Sequence, residues 1–315
     1  MSIAAEELKL YRDISGRLSS TEVLDGYKNG LFSDITQDER TTGITVQLKV
    51  FFKVASLAND QGINAKTFIA DITPSDGRAV LYTATQRDAT PTGRKYGAGR
   101  LNADVIATAT SIVVDAETGN GANLIFQVGD TLYIDNGTAN EFAVISTVSW
   151  STDQATIGLS SGLSNAYLAA TPTTISSCIE SAVIECTTDN WVETSSAGTY
   201  DEATYPIEND NLGCIEQTWT LTFTSSTAFS VVGDTVGSLL AGSVSADYSP
   251  SNSDFSSPYF TLLSAGFGGT WAINDTIVFQ THPATQPFFA ELIIDAATAA
   301  YSHDDIKLAI TLESA

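Results

Sequence analysis

A serine motif is the first place where this sequence could support chemistry. Gly158-Leu159-Ser160-Ser161-Gly162 matches the G-x-S-x-G pattern of serine hydrolases, and His282 and His303 follow it in the chain. In a hydrolase the serine sits between a buried strand and a helix, and a histidine removes its proton. Here the motif lies in a Ser- and Gly-rich turn without an oxyanion-loop signature before it. We predict a chance match, two surface histidines and no catalytic residue.

The cysteines and the oxygen-rich turns do not form a recognisable metal site. Cys178, Cys186 and Cys214 are odd in number, which argues against a complete disulfide framework, and their spacing is not that of a zinc site. The turns at 115–121 and 208–211 lack the spaced ligand set with a closing bidentate Glu that calcium loops use. We predict buried free thiols, turn-forming Asp and Asn, and no metal or cofactor.

The most basic part of the chain is the segment Gln86–Arg100, which we predict to be an exposed loop. Its cations surround Tyr96, and they are Arg87, Arg94, Lys95 and Arg100. Such a loop could grip a phosphate, but on an acidic protein it more often meets carboxylates of a neighbour or water. We therefore expect no direct nucleic acid binding.

Charge is distributed very unevenly along the chain. The net charge is −23, and 13 of the 14 Lys and Arg residues lie in positions 1–100, where 12 acidic residues nearly balance them. Positions 101–315 hold 25 acidic residues and a single basic one, Lys307. Two interpretations stay open: the acidity keeps the protein soluble, or the basic head of one copy docks on the acidic body of another. An acidic body also repels nucleic acid phosphates.

Composition and periodicity favour a mainly β fold of antiparallel β-sandwich or barrel-like modules with a short N-terminal helix. The helix is predicted at Ala4–Asp13, with a further helical turn from Ser20 to Leu24. A hairpin turn at 73–77 is predicted to join the second and third strands, and Glu193–Leu212 is predicted to be a surface loop. The other predicted strands are at 44–55, 67–72, 78–85, 142–148, 155–159, 177–187, 288–295 and 306–312.

The stretch Gln217–Thr281 is predicted to be a rigid β module. Trp219, Leu221 and Phe223 alternate with threonines, as in a strand with one buried face, and Ile277 and Phe279 repeat the alternation. The stretch contains no Lys, Arg, His or Cys, so its natural complement is a basic surface.

Three domains are predicted from shifts in composition. They are a mixed-charge assembly domain at 1–100, a small β domain at 101–172 that is a possible insertion, and an acidic β domain at 173–315. The N-terminus is charged and amphipathic, and no run of about 18 apolar residues occurs, so we expect neither a signal peptide nor a membrane span. The expected location is a cytosol-like compartment.

Two stretches resemble a group of tailed-bacteriophage virion proteins and together cover about half the chain. In the N-terminal stretch the matching residues are Leu31, Phe32, Asp34, Ile35 and Arg40, although the following strand has Gln47-Leu48-Lys49 in place of a basic pair. In the C-terminal stretch they are Pro258-Tyr259-Phe260-Thr261-Leu262 and Gly268-Gly269-Thr270-Trp271. The resemblance implies a non-enzymatic structural subunit of the tail, neck or baseplate, located in the virion and assembled in the host cytoplasm. It carries over no catalytic residue.

Our first hypothesis is a subunit of a homo-oligomeric ring or collar that also contacts other phage tail or neck proteins. Ring closure needs a head-to-tail interface, and complementary charges at the two ends of the chain would supply one that weakens in high salt. Two alternatives are an adhesin that uses exposed aromatics such as Tyr248 and Tyr259 on a sugar or surface protein, and a hydrolase that uses Ser160. The predicted interface residues are Arg87, Arg94, Lys95, Tyr96, Arg100, Leu31, Phe32, Phe255, Tyr259 and Phe267.

Overall fold

The computed structural model describes residues 3–26, 29–72, 77–116, 125–300 and 306–314. Helical structure in this part of the chain is confined to α1 (Gln37–Thr42) and two 3-10 helices, Ala5–Glu7 and Ser264–Gly266. Thr36 caps α1: its hydroxyl accepts a hydrogen bond from the Glu39 amide, and its own amide donates to the Glu39 carboxylate. No helix among the described residues has the length and apolar character needed to cross a membrane.

Strands make up most of the remaining regular structure. In chain order they are β1 (Leu8–Ile14), β2 (Arg17–Glu22), β3 (Ile44–Val54), β4 (Gly62–Asp71), β5 (Arg78–Thr83), β6 (Lys95–Leu101), β7 (Ser111–Ala116), β8 (Thr131–Asp135), β9 (Asn140–Ser151), β10 (Gln154–Leu159), β11 (Thr174–Ser177), β12 (Ile179–Ile184), β13 (Thr187–Thr194), β14 (Gly198–Tyr200), β15 (Gln217–Phe223), β16 (Ala228–Gly233), β17 (Gly237–Ser238), β18 (Gly242–Ser243), β19 (Ser251–Asn252), β20 (Ser257–Pro258), β21 (Phe267–Gly269), β22 (Thr276–His282), β23 (Thr285–Ile294) and β24 (Lys307–Ser314). All the pairings between them are antiparallel.

Strands from both ends of the chain, together with β12 from its middle, build a β-sandwich. One layer has the strand order β2-β1-β3-β23-β5, and the other has the order β12-β4-β24. Ala290 of β23 lies opposite Leu48 of β3 on one side and Leu81 of β5 on the other. The apolar faces of the two layers meet in a buried core that includes Val50, Phe52, Ile69, Leu81, Ile179, Phe288 and Ala290. Burial of this apolar surface is the main source of the sandwich's stability.

A closed six-stranded barrel continues the larger layer. Its strand order is β6-β7-β10-β9-β8-β11, and β11 pairs back onto β6. Because β6 also pairs with β5, barrel and sandwich share one eleven-stranded sheet. The alternating inward positions fill the barrel with side chains that include Ile112, Val114, Ile134, Ile145, Ile157, Tyr167 and Ile175.

Residues 187–282 form a third unit, which we call the aromatic module. Its main sheet has the order β13-β22-β15-β16-β17, and β18 also pairs with β16. Alternate residues of β15 point inward, as the threonine alternation predicted. Loop residues Phe260 and Trp271 cover this face, and the Trp271 ring stacks on Phe223 with centroids 4.0 Å apart.

The mainly β fold with sandwich and barrel modules is confirmed, but the short helix is not at Ala4–Asp13. That segment contains one 3-10 turn followed by β1, because Leu8 to Arg12 pair with β3. The helical turn expected from Ser20 to Leu24 is also wrong, since Arg17–Glu22 form β2 against β1. Both patterns are short, and pairing with neighbouring strands overrides a weak helical preference.

The predicted hairpin between the second and third strands is also wrong. β4 pairs with β12 and β24, whereas β5 pairs with β23 and β6, so the two strands lie in different sheets. The turn residues 73–76 lie outside the described residues, as do 119–121. The single strand predicted at 177–187 is divided among β11, β12 and β13, and the loop predicted at Glu193–Leu212 contains β14.

The other predicted strands are confirmed as β3, β4, β5, β9, β10, β23 and β24. All residues of β3 from Val50 onward are buried. The alternation of apolar and polar residues stops at Phe51-Phe52 because both faces of the strand are covered there. The division into 1–100, 101–172 and 173–315 stays a prediction. β6 crosses its first boundary, and β23 pairs with two strands from 1–100.

The junction strand β6 gives a test of the shared sheet. A Cβ on Gly99 would lie 2.6 Å from both the Asp115 carbonyl oxygen and Val114 Cγ1, so Gly99→Ala must displace a barrel strand. We expect it to lower the free energy of unfolding by about 1–3 kcal/mol in urea titrations. Gly268→Ala is the matched control, because there the added Cβ meets only the Thr199 hydroxyl within 3 Å. Equal stability of the two variants would contradict the close approach at β6.

Candidate functional site

The basic segment Gln86–Arg100 is not one exposed loop. From Lys95 onward it forms β6, and its residues 97–99 are buried. The Lys95 ammonium lies 5.6 Å from the centroid of the Tyr82 ring in the neighbouring strand. The expected loop is therefore limited to the residues before β6.

Arg94 is held by a carboxylate of its own chain. Its guanidinium donates to both Asp130 oxygens, at 2.5 and 2.6 Å, and stacks over the Tyr96 ring at 4.1 Å. Burial opposes the charge on Arg94, but the hydrogen bonds to Asp130 and the attraction of its carboxylate charge together outweigh burial and raise the Arg94 pKa. Arg100 donates to the Ile72 carbonyl at 2.9 Å. Both cations thus tie β6 to neighbouring elements.

Arg87 reaches from the head to the aromatic module. It bonds Asp234 at 2.5 Å and lies 3.4 Å from Glu216. Glu216 in turn contacts His282 Nδ1 at 2.8 Å, and His282 Nε2 contacts Asp189 at 3.1 Å. These five residues, which we call the charged seam, alternate in sign, and the hydrogen bonds to Asp234 raise the Arg87 pKa.

His282 is the titratable centre of the charged seam. Burial disfavours its protonated form, but the hydrogen bonds to Asp189 and Glu216 outweigh burial and raise the His282 pKa. The side chain is 29% exposed, so it is more enclosed than the surface histidine that we expected. Its carboxylate partners come from distant positions, which is why sequence spacing did not reveal them.

A buried lysine and two thiols lie between β3 and the aromatic module. Lys53 is 1% exposed, donates to the Leu212 carbonyl at 2.5 Å and lies 3.7 Å from the centroid of the Phe255 ring. Burial lowers the Lys53 pKa to about 8, in opposition to the favourable charge of the Asp210 carboxylate. The only sequence signal for this site was a lysine inside an apolar strand.

The apolar interface candidates contribute to packing within the chain. Leu31 and Phe32 pack against the sandwich core, and Tyr259 and Phe267 against the core of the aromatic module. Phe255 contacts Lys53 and lies edge-on to Tyr11. All five are partly exposed, so their role in contacts between copies stays a prediction.

The remaining sequence candidates have structural roles where they are described. Ser160 follows β10 in an exposed turn, without the strand-to-helix geometry of a hydrolase, and His303 lies outside the described residues. Asp210 holds its own turn by accepting from the Leu212 amide at 2.6 Å, and residues 117–121 of the other acidic turn are not described. The three cysteines are free, as predicted, with Cys178 and Cys214 buried and Cys186 half-buried.

No protein-family model matches the chain, and no curated protein matches it. Among solved structures it is similar to VP17, a capsid protein of bacteriophage P23-77, at 10% sequence identity over 80% of this chain and 88% of that chain. The TM-score is 0.20, which does not indicate a shared fold, so this similarity carries no argument.

The raised His282 pKa predicts a pH-dependent stability. Below the unfolded value of about 6.5 the ion pairs contribute fully, and their contribution is lost as the pH rises through the folded pKa. We expect the free energy of unfolding to fall by about 1 kcal/mol between about pH 6 and pH 7.5, a range that lies below the Lys53 pKa of about 8, measured by urea titration. His282→Gln should remove this fall, whereas His303→Gln should keep it. The same pH dependence in wild type and His282→Gln would overturn the assignment.

The buried Lys53 predicts a site-specific loss of stability. Lys53→Met keeps the side-chain length but leaves the Leu212 carbonyl without its donor and removes the cation from the Phe255 ring. We expect the free energy of unfolding at neutral pH to fall by about 1–2 kcal/mol. Lys9→Met, which removes a partly exposed ion pair with Glu22, should change it by less than about 0.5 kcal/mol. Equal effects would show that Lys53 is no anchor.

Proposed function

We propose that the chain is a non-enzymatic structural subunit of a bacteriophage virion. In this proposal copies assemble in the host cytoplasm into a ring or collar of the tail, neck or baseplate region, where they contact other tail or neck proteins. One observation carries the proposal: the residues behind the resemblance to phage virion proteins are residues that hold this fold together. A packing role for these residues is what a structural subunit would require of them.

The N-terminal matching segment is fastened to the sandwich. Leu31 and Phe32 pack against its core, and the Arg12 guanidinium donates to the Leu31 carbonyl at 3.1 Å. Arg40 donates to the Ile35 carbonyl at 2.9 Å, which closes the segment on itself before β3 begins. Each named contact satisfies a backbone carbonyl or covers apolar surface, and these are functions of a scaffold.

The C-terminal matching segments close the aromatic module. Phe260 and Leu262 are fully buried, and Trp271 is 3% exposed against Phe223. Gly269 has a φ of +65°, and a Cβ there would lie 2.0 Å from the Ala197 carbonyl oxygen. Glycine is required at this position for both reasons. The matching residues again serve packing.

Charge pairing inside the chain changes how copies are expected to meet. Arg78, Arg87 and Arg94 all pair with carboxylates from beyond position 100, so the basic head already docks on the acidic body of the same molecule. Copies that each carry a net charge of −23 repel one another. We therefore propose that packing of sheet surfaces with exposed apolar side chains, such as Phe142 and Val144 on β9, holds the copies together.

The adhesin alternative is weakened because one of the aromatic residues that it uses is buried. Tyr248 is 7% exposed, and its hydroxyl donates to the Leu240 carbonyl at 2.7 Å. Its ring is therefore not accessible to a sugar. Tyr259 is half-buried beside Trp219, with ring centroids 5.2 Å apart. The scaffold proposal accounts for both contacts without a ligand.

Salt dependence of the assembly tests the proposal. We expect purified protein to form an oligomer whose mass, measured by light scattering, persists or increases between about 50 mM and 500 mM salt, because salt screens repulsion between acidic copies. Negative-stain images should show closed rings. Arg87→Gln should leave the oligomer intact, since Arg87 is engaged within its own chain.

Two results would count against parts of this proposal. Dissociation at high salt, together with loss of the oligomer in Arg87→Gln, would favour charge pairing between copies instead of sheet packing. A monomer at every salt concentration that is also absent from purified virions would overturn the structural-subunit function itself.

A further inference from the structure

Cys186 and Cys214 meet beside Lys53 although 27 residues separate them in the chain. Cys186 Sγ lies 3.5 Å from the Asp210 carbonyl oxygen, and the Cys214 amide donates to the same oxygen at 2.9 Å. Thr187, which directly follows Cys186, lies opposite His282 in the β13–β22 pairing, and the His282 carbonyl oxygen lies beside Cys214 Sγ. The third thiol, Cys178, lies apart between β11 and β12, where Glu180 and Lys66 are its charged neighbours.

The pair has unequal access to solvent. Cys186 is half-buried and directly precedes β13, whereas Cys214 is completely buried, with its Sγ 3.4 Å from the His282 carbonyl oxygen. A dissolved oxidant therefore reaches Cys186 first. The Lys53 ammonium favours the thiolate of Cys214, in opposition to burial, which raises the pKa of that thiol.

We propose that Cys186 and Cys214 form an oxidisable pair that closes to a disulfide when the protein meets a small-molecule disulfide such as oxidised glutathione. The Cys186 thiolate attacks one sulfur of the oxidant and releases one glutathione thiolate, which gives a mixed disulfide. The Cys214 sulfur, after loss of its proton, then attacks Cys186 Sγ and releases the second glutathione. In sum, two protein thiols and one oxidised glutathione yield one protein disulfide and two reduced glutathione molecules.

The bond would tie the residue that precedes the first strand of the aromatic module to the turn that precedes β15. Closing a loop of this length restricts the unfolded chain, so the oxidised aromatic module should resist unfolding more than the reduced one. In the proposed virion, the subunit would be made in a reducing cytoplasm and would be locked after release into an oxidising medium. Only this last step rests on the proposed function.

The test uses the purified full chain. Reduced protein is incubated at about pH 8, where thiolate is present, with and without oxidised glutathione, and is then digested without reduction for mass spectrometry. We expect a linked peptide that contains Cys186 and Cys214, loss of two of the three titratable thiols, and a higher urea midpoint. Cys178→Ser, the matched control, should retain the linked peptide, and Cys214→Ser should stop at a glutathione adduct on Cys186.

Three results would overturn the inference. They are unchanged thiol content in wild type, a lasting glutathione adduct on wild-type Cys186 without the linked peptide, and a linkage that involves Cys178. Because the linked peptide is measured on the isolated protein, whether it assembles into rings is a separate measurement. Failure of one proposal therefore does not imply failure of the other.

Discussion

The position of β23 constrains the whole molecule. This strand, from near the end of the chain, is hydrogen-bonded to β3 on one side and to β5 on the other. Its partners precede it by roughly 200 residues or more, and the barrel and the aromatic module lie between them in sequence. The sandwich therefore cannot close until nearly the whole chain is available, whereas each inserted unit has a core of its own. Such long-range pairing favours slow folding, with closure of the sandwich as a late step.

Within this architecture, ion pairs mainly link the head of the chain to its acidic body. The acidic body has no Lys or Arg of its own between Leu101 and Ile306, so the Arg partners of its carboxylates come from the head. Asp130 receives Arg94 in this way, and Asp234 receives Arg87. Removing one partner of such a pair costs most where the pair is enclosed, as at Asp130, whose side chain is 8% exposed, because the other charge is then left buried and unpaired. The remaining surface carries the acidic excess, which keeps separate copies apart unless apolar surfaces bring them together.

Local patterns predicted many strands but not their partners. β15 and β24 were predictable because their residues alternate strictly, and that alternation is the direct imprint of one buried face. β1 was not predictable, because Leu8 and Leu10 fit a short helix as well as a strand. Pairing with β3 determines that this segment is a strand. The segment before Leu101 looked like a loop because of its glycines and cations, yet Arg94 and Arg100 find partners far along the chain. The charged seam and the thiol pair depend on the same long-range topology, which residue spacing does not encode.

The second half of β3 is covered on both of its faces. Val50 and Phe52 face the sandwich core, while Lys49, Phe51 and Lys53 share the opposite face. Lys49 Nζ donates to the carbonyls of Gly16, Gln86 and Asp88, and Lys53 Nζ donates to that of Leu212. Loops from distant parts of the chain thus end on lysine anchors, where the ammonium groups satisfy carbonyls that burial would otherwise leave unpaired. A lysine within an apolar strand is therefore a readable signal in this sequence: it marks a face that is covered by backbone and not by a second sheet.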